Sequence, residues 1–92
     1  MEFEYDVEKS AANKIKHGID FGEAQALWED DNRIEASVVS TTEERFIVTG
    51  MIGNKHWTVV ITYREFFIRI ISARRARKKE IQFYEQANQE WH

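Results

Sequence analysis

The chain has no cysteine and no proline, and only four glycines and three histidines among its 92 residues. Without cysteine there is no disulfide framework, no thiolate metal site and no thiol nucleophile, which closes one branch of covalent catalysis. Three histidines without a His-Glu-x-x-His spacing do not make a zinc centre either, so neither metal nor cofactor is expected. The missing prolines, with no Gly/Ser tract, low-complexity segment or repeat, predict one compact domain over residues 1–92. No hydrophobic run approaches the ~20 residues of a membrane-spanning helix. The acidic start Met1-Glu2-Phe3-Glu4 is the reverse of a basic signal-peptide start, and a cytoplasmic protein is expected.

What the chain does have is charge, unevenly spread. Its formal net charge is −3, yet residues 1–44 carry four Lys/Arg against twelve Asp/Glu, and residues 45–92 carry nine against four. Seven of the 13 basic residues fall between Arg64 and Lys79, where an apolar strand pattern, Ile68-Arg69-Ile70-Ile71, runs into Arg74, Arg75, Arg77, Lys78 and Lys79. Phosphate is the natural partner of such a cluster, because arginine offers paired donors to phosphate oxygens and binding releases condensed counterions. A solvated basic helix face is the plainer reading for Lys78 and Lys79. Arg69 differs, since an ionised group inside an apolar strand needs a partner or a wet site.

Local patterns predict the order βααββββα in an α+β domain. Phe3-Glu4-Tyr5 alternates as a short strand, and Asp6 stands where a helix N-cap belongs. A first helix follows, with Val7, Ala11 and Ile15 on one apolar face, and Gly18 closes it after His17. Asp20-Phe21-Gly22-Glu23 has capping-box spacing and opens a shorter helix carrying Phe21, Ala24, Leu27 and Trp28, which a turn at Asp30-Asp31-Asn32 ends. Four strands are then predicted at Ile34–Val39, Phe46–Ile52, Trp57–Tyr63 and Phe66–Ile71, with turns at Gly53-Asn54 and Arg64-Glu65, forming an antiparallel four-stranded meander. A last helix, from about Ala76 to Trp91, presents Ile81, Tyr84, Ala87 and Trp91. Strand alternation groups Arg64 and Arg69 on a sheet face that the helices leave uncovered, lined by Thr58 and Thr62, with Arg74 at the strand's exit. A single bulge would change those faces.

In its residues the chain resembles the BrnT family of RelE-like ribonuclease toxins of bacterial type II toxin–antitoxin pairs. The resemblance rests on Phe3-Glu4-Tyr5-Asp6, Lys9, Asn13, Lys16-His17-Gly18-Ile19, Phe21 and Glu23-Ala24, then Glu44-Arg45, Gly50, Tyr63, Arg69-Ile70-Ile71-Ser72-Ala73-Arg74, Glu80 and Tyr84. It implies a RelE-like fold, an endoribonuclease that arrests growth, and neutralisation by a BrnA-like ribbon-helix-helix antitoxin, through which alone the toxin meets DNA. It also implies metal-independent attack of the RNA 2′-hydroxyl on the adjacent phosphate, with cationic side chains stabilising the growing charge. One position departs from the family pattern: Arg77 stands where Ser or Thr is usual, three residues before Glu80.

On this reading Arg74 and Arg69 stabilise the transition state and His17 is an acid or base, a role suited to imidazole. Arg64, Arg75, Lys16, Lys78 and Lys79 hold the RNA backbone. Each has a structural alternative. Arg74 can pair with an N-terminal carboxylate such as Asp6 or Glu23, Arg69 can sit in a buried ion pair, and His17 can cap helix carbonyls. Tyr84, Trp28 and Trp57 read as core, Gly50 and Gly53 as turn or bulge residues, and Ser72 has no His/Asp arrangement beside it in sequence. A non-catalytic RNA- or ribosome-binding module using the same basic surface is the competing function.

Overall fold

The computed structural model describes residues 2–39 and 42–89, as an α+β fold with a five-stranded mixed sheet and three helices. Local chemistry sets the first elements. After strand β1 (Glu2–Glu4), the Asp6 carboxylate accepts from the N–H groups of Glu8 and Lys9 at 2.8 and 3.1 Å and starts helix α1 (Val7–His17). Gly18 ends α1 at φ 82°, its N–H donating to the Lys14 carbonyl. The Asp20/Glu23 capping box opens α2 (Phe21–Ala24), which is one turn long and continues as a 3₁₀ turn over Gln25–Glu29.

Strands β2 (Ile34–Val38), β3 (Arg45–Ile52), β4 (Lys55–Arg64) and β5 (Phe67–Arg75) form the expected antiparallel meander, and helix α3 (Lys78–Gln89) follows. The first strand is not an appendage. It pairs in parallel with β5, Glu2 opposite Phe67 and Glu4 opposite Arg69, giving the order β1-β5-β4-β3-β2. Phe21, Ala24 and Leu27 pack on Val48, Val59, Ile61, Ile68, Ile70 and Ala73 to make the core. Each large side chain fully buried there contributes about 1.5–3 kcal/mol. On the other sheet face Thr49 and Thr58 share a 2.8 Å hydrogen bond, and Glu80 at the start of α3 accepts from Thr58.

Several expectations need correction. The Val7/Ala11/Ile15 face of α1 points to solvent, with Val7 75% and Ile15 88% exposed. The buried side of α1 is polar. Ser10 accepts from the Phe21 N–H at 2.9 Å, and the Asn13 amide donates to the carbonyls of Ile19 and Ala73 while its oxygen accepts from the Ala73 N–H. Asn13 thus covers the edge of β5 beyond the reach of β1, and that unmet backbone demand outweighs the apolar periodicity. The β4–β5 turn falls on Glu65-Phe66, one residue later than expected, with Glu65 at φ 48° and Phe66 exposed. The buried stripe of α3 runs through Ile81, Tyr84 and Asn88, because Asn88 donates to the Asn32 carbonyl, and Ala87 is exposed. Trp91 and His92 lie outside the described residues.

Candidate nucleic-acid interface

Arg74 lies five positions after Arg69, an odd offset that plain alternation would translate into opposite sheet faces. The register of β5 shifts instead: Val60 of β4 faces Ser72, the next residue Ile61 faces Ile70, and Ile71 is left over as a bulge. The extra residue restores parity, so Arg69 and Arg74 lie on one face, opposite Thr62 and Thr58 respectively. Arg64, two residues beyond Thr62 on β4, belongs to the same face. The two β5 arginines are thereby spaced by four residues of β4, or ~13 Å at ~3.3 Å per residue.

Their environments differ. Arg74 lies within β5 and beneath the first turn of α3, at no free strand exit, and its side chain is 19% exposed. Its Nη1 and Nη2 each donate to one Glu80 carboxylate oxygen at 2.8 Å, and Nη1 also donates to the Arg75 carbonyl at 3.3 Å. Glu80 further accepts from the Arg77 N–H at 2.8 Å and from Thr58 at 3.0 Å. These donors, Arg74 first, hold the Glu80 carboxyl at about 2 against the opposing effect of burial, and the pair pushes the Arg74 guanidinium above its ordinary value. The carboxylates expected to pair with Arg74 are engaged elsewhere: Asp6 caps α1, and Glu23 binds Lys14 at 2.8 and 3.0 Å. Arg77 leaves α3 without a side-chain cap, but the backbone half of the capping box survives through Glu80, and the helix starts at Lys78.

Arg69 is only loosely paired. Its Nη1 is 3.7 Å from Glu4 Oε1, the same oxygen that Arg64 Nε approaches at 3.5 Å. Neither contact reaches hydrogen-bonding distance, and a surface pair of this kind contributes about 0–1 kcal/mol. Arg75 is held by the His56 carbonyl at 3.2 Å and lies 5.4 Å over the Trp57 ring. Lys78 and Lys79 are exposed in the first turn of α3, where the helix dipole already favours anions.

Lys16 and His17 do not join the arginines. With Lys9, Ala12, Asn13, Phe21, Ile71 and Ser72 they line a separate cavity of about 330 Å³ between α1 and the β5 bulge. His56 stacks edge-on against Tyr84 at 5.3 Å between ring centroids. Tyr84 is buried and donates to Asp30 at 2.7 Å, which with burial pushes its phenol up to about 12. Tyr63, facing Glu35 at 2.6 Å, is raised likewise by burial and that bond to about 12. Trp28 and Trp57 pack against the core from its rim. Gly53 is a turn residue at φ 63°, whereas Gly50 allows the 3₁₀ segment to approach β3, since a Cβ there would sit 3.0 Å from Asp30 Oδ2.

The tertiary partners of three residues are not legible in the sequence. Glu80 was legible as half of a capping box but not as the partner of Arg74. Asp30 was read as a turn residue, yet it accepts from Met51 N–H, Asn32 N–H and Tyr84. Burial pushes its carboxyl up, and those bonds outweigh burial and hold it below the usual range. Asn13 is one of the residues that carry the family resemblance, but nothing near it in sequence points to the backbone groups of Ile19 and Ala73 that it holds. Among the described residues, no group of three or more His, Asp or Glu is placed to hold a metal ion, and no helix is long and apolar enough to cross a membrane.

A family model described as "Ribonuclease toxin, BrnT, of type II toxin-antitoxin system" matches residues 5–80. No curated protein matches the chain. The matched segment runs from Tyr5 to the carboxylate that holds Arg74.

Proposed function

The chain belongs to the BrnT family of ribonuclease toxins of type II toxin–antitoxin systems, and on that premise we propose that it cleaves RNA without a metal, the RNA's own 2′-hydroxyl attacking the adjacent phosphate. The observation that carries this reading is the β5 bulge, which sets Arg69 and Arg74 on one face. Arg69, weakly paired and partly exposed, receives the phosphate backbone. Arg74, fixed by its two bonds to Glu80, aims preorganised donors at the oxygens where charge develops, so little reorganisation is needed as the reaction proceeds. Glu80, held at about 2, is too weak a base for proton abstraction at neutral pH and acts as a positioning residue. His17 approaches the same stretch of β5 from the α1 side and is the candidate for proton transfer. Arg64, Arg75, Lys16, Lys78 and Lys79 hold the strand. A ribbon-helix-helix, DNA-binding antitoxin of the BrnA kind neutralises the toxin in the cytoplasm.

A second reading draws on the same ion pair. An arginine so fully engaged by Glu80 suits a structural strut, and the surface would then bind RNA or the ribosome without cutting it. The deciding experiment incubates purified protein with total bacterial RNA in excess EDTA and analyses the fragment ends. Wild type is expected to leave 2′,3′-cyclic phosphate ends, and Arg69→Gln to lose cleavage while keeping its melting temperature. Arg74→Ala alone is ambiguous, because stripping one partner from this pair costs stability in its own right. Arg74→Lys supplies the conservative comparison. Cleavage that stops in EDTA refutes the metal-free route, and intact RNA with salt-sensitive binding favours the second reading.

A further inference from the structure

We propose that the cavity between α1 and the β5 bulge is a subsite for one nucleotide of the RNA strand, an inference that rests on the ribonuclease reading above. The acidic half of the chain points to it. Residues 1–44 hold only four basic side chains. Lys14 is bound to Glu23, and Arg33 donates to the carbonyls of Trp28 and Asp30. The other two, Lys9 and Lys16, both line this cavity. No carboxylate lines it, and neither lysine has an ion-pair partner among the described residues. In a protein of net charge −3, such a concave, unopposed cationic spot focuses field toward an anion.

The cavity is also held in shape. Asn13 joins α1 to Ile19 and to both backbone groups of Ala73, so the lysine-bearing helix cannot drift from β5 without breaking buried hydrogen bonds. Its volume of about 330 Å³ lies within the ~300–1,000 Å³ typical of small-ligand pockets. The walls divide by chemistry: Lys9 and Lys16 for a phosphate, Ile71 for the flat face of a base or ribose, Ser72 and His17 for polar edges. Its position ties it to the arginines, because Ile71 and Ser72 lie in β5 between Arg69 and Arg74. Arg69, Arg74 and this cavity therefore adjoin one short stretch of β5.

The test uses the whole chain and a fluorescent mixed-sequence oligonucleotide whose 2′-O-methyl groups prevent cleavage. Anisotropy across a salt series compares wild type, the Lys9→Gln/Lys16→Gln double variant and Lys14→Gln. All three lysines are exposed, so folding is not at stake. One lost phosphate contact on a single strand makes the slope of log K against log salt shallower by about 0.7. Lys14→Gln is expected to keep the wild-type slope, and the Ile71 and Ser72 amide resonances are expected to shift with oligonucleotide in wild type only. A wild-type slope in the double variant overturns the subsite while leaving cleavage by wild type untouched, whereas a wild-type chain that neither binds nor cleaves RNA overturns the ribonuclease reading itself. A mononucleotide that moves the same resonances with equal affinity makes the cavity a free-nucleotide site and refutes the strand assignment. Loss of binding to an acidic peptide, with RNA binding intact, assigns it to a protein partner and refutes it too.

Discussion

Replacing Glu80 by Gln is expected to remove about 2–3 kcal/mol of stability at pH 7, and much less at pH 3. Its folded carboxyl titrates at about 2 against 4.5 for a free glutamate. At ~1.36 kcal/mol per pH unit that gap corresponds to about 3.4 kcal/mol, and solvent around an incompletely buried pair trims it to about 2–3 kcal/mol. The geometry argues against rescue by the amide. Glu80 Oε1 already accepts from Arg74, Thr58 and Arg77, so a glutamine nitrogen in place of Oε2 would set N–H groups against Arg74 Nη2. Because the folded pKa is depressed, the stabilisation is complete above about pH 4.5 and disappears as pH falls toward about 2. At pH 3 the unfolded carboxyl is already protonated while the folded one is not, which leaves about 1 kcal/mol. Urea denaturation of both proteins at pH 7 and pH 3 measures the difference, and comparing wild type with variant at each pH cancels the titration of every other carboxylate. A loss below about 0.5 kcal/mol at pH 7, or an equal loss at both pH values, would refute the account of the pair.

Asn13→Ala leaves two carbonyls and an N–H without their side-chain partner at the β5 edge and is expected to cost about 2–4 kcal/mol by urea titration. Gly50→Ala forces its Cβ to within 3.0–3.2 Å of Asp30, Leu27 and Arg33, and about 1–3 kcal/mol should be lost, seen as a lower melting temperature. Ile15→Gln, by contrast, changes an 88% exposed side chain and should stay within about 0.5 kcal/mol of wild type in the same melts.

Those contrasts mark what sequence could convey. Caps are short-range chemistry, and Asp6, Gly18 and the Asp20/Glu23 box were all readable because each satisfies its own helix end. The order of elements followed from the change of period near Arg33. The facing of α1 was not readable, since its apolar spacing says nothing of the unpaired backbone of Ala73 sixty residues away. The bulge at Ile71 is set by how β4 and β5 settle against each other, and no residue there announces it. So the candidate arginines were identifiable by type and position, but their common face and the Arg74–Glu80 pair belong to tertiary register.

The parallel pairing of β1 with β5 carries a consequence for the order of assembly. Glu2 must wait for Phe67 before its strand has a neighbour, and a contact that spans so much chain is entropically costly and late to form. On a translating ribosome the N-terminal strand therefore emerges with its edge unsatisfied, and Glu4 lacks Arg69 beside it until β5 is synthesised. The face that carries Arg69 and Arg74 is therefore completed only after most of the chain has emerged, and a nascent fragment that stops short of β5 lacks it.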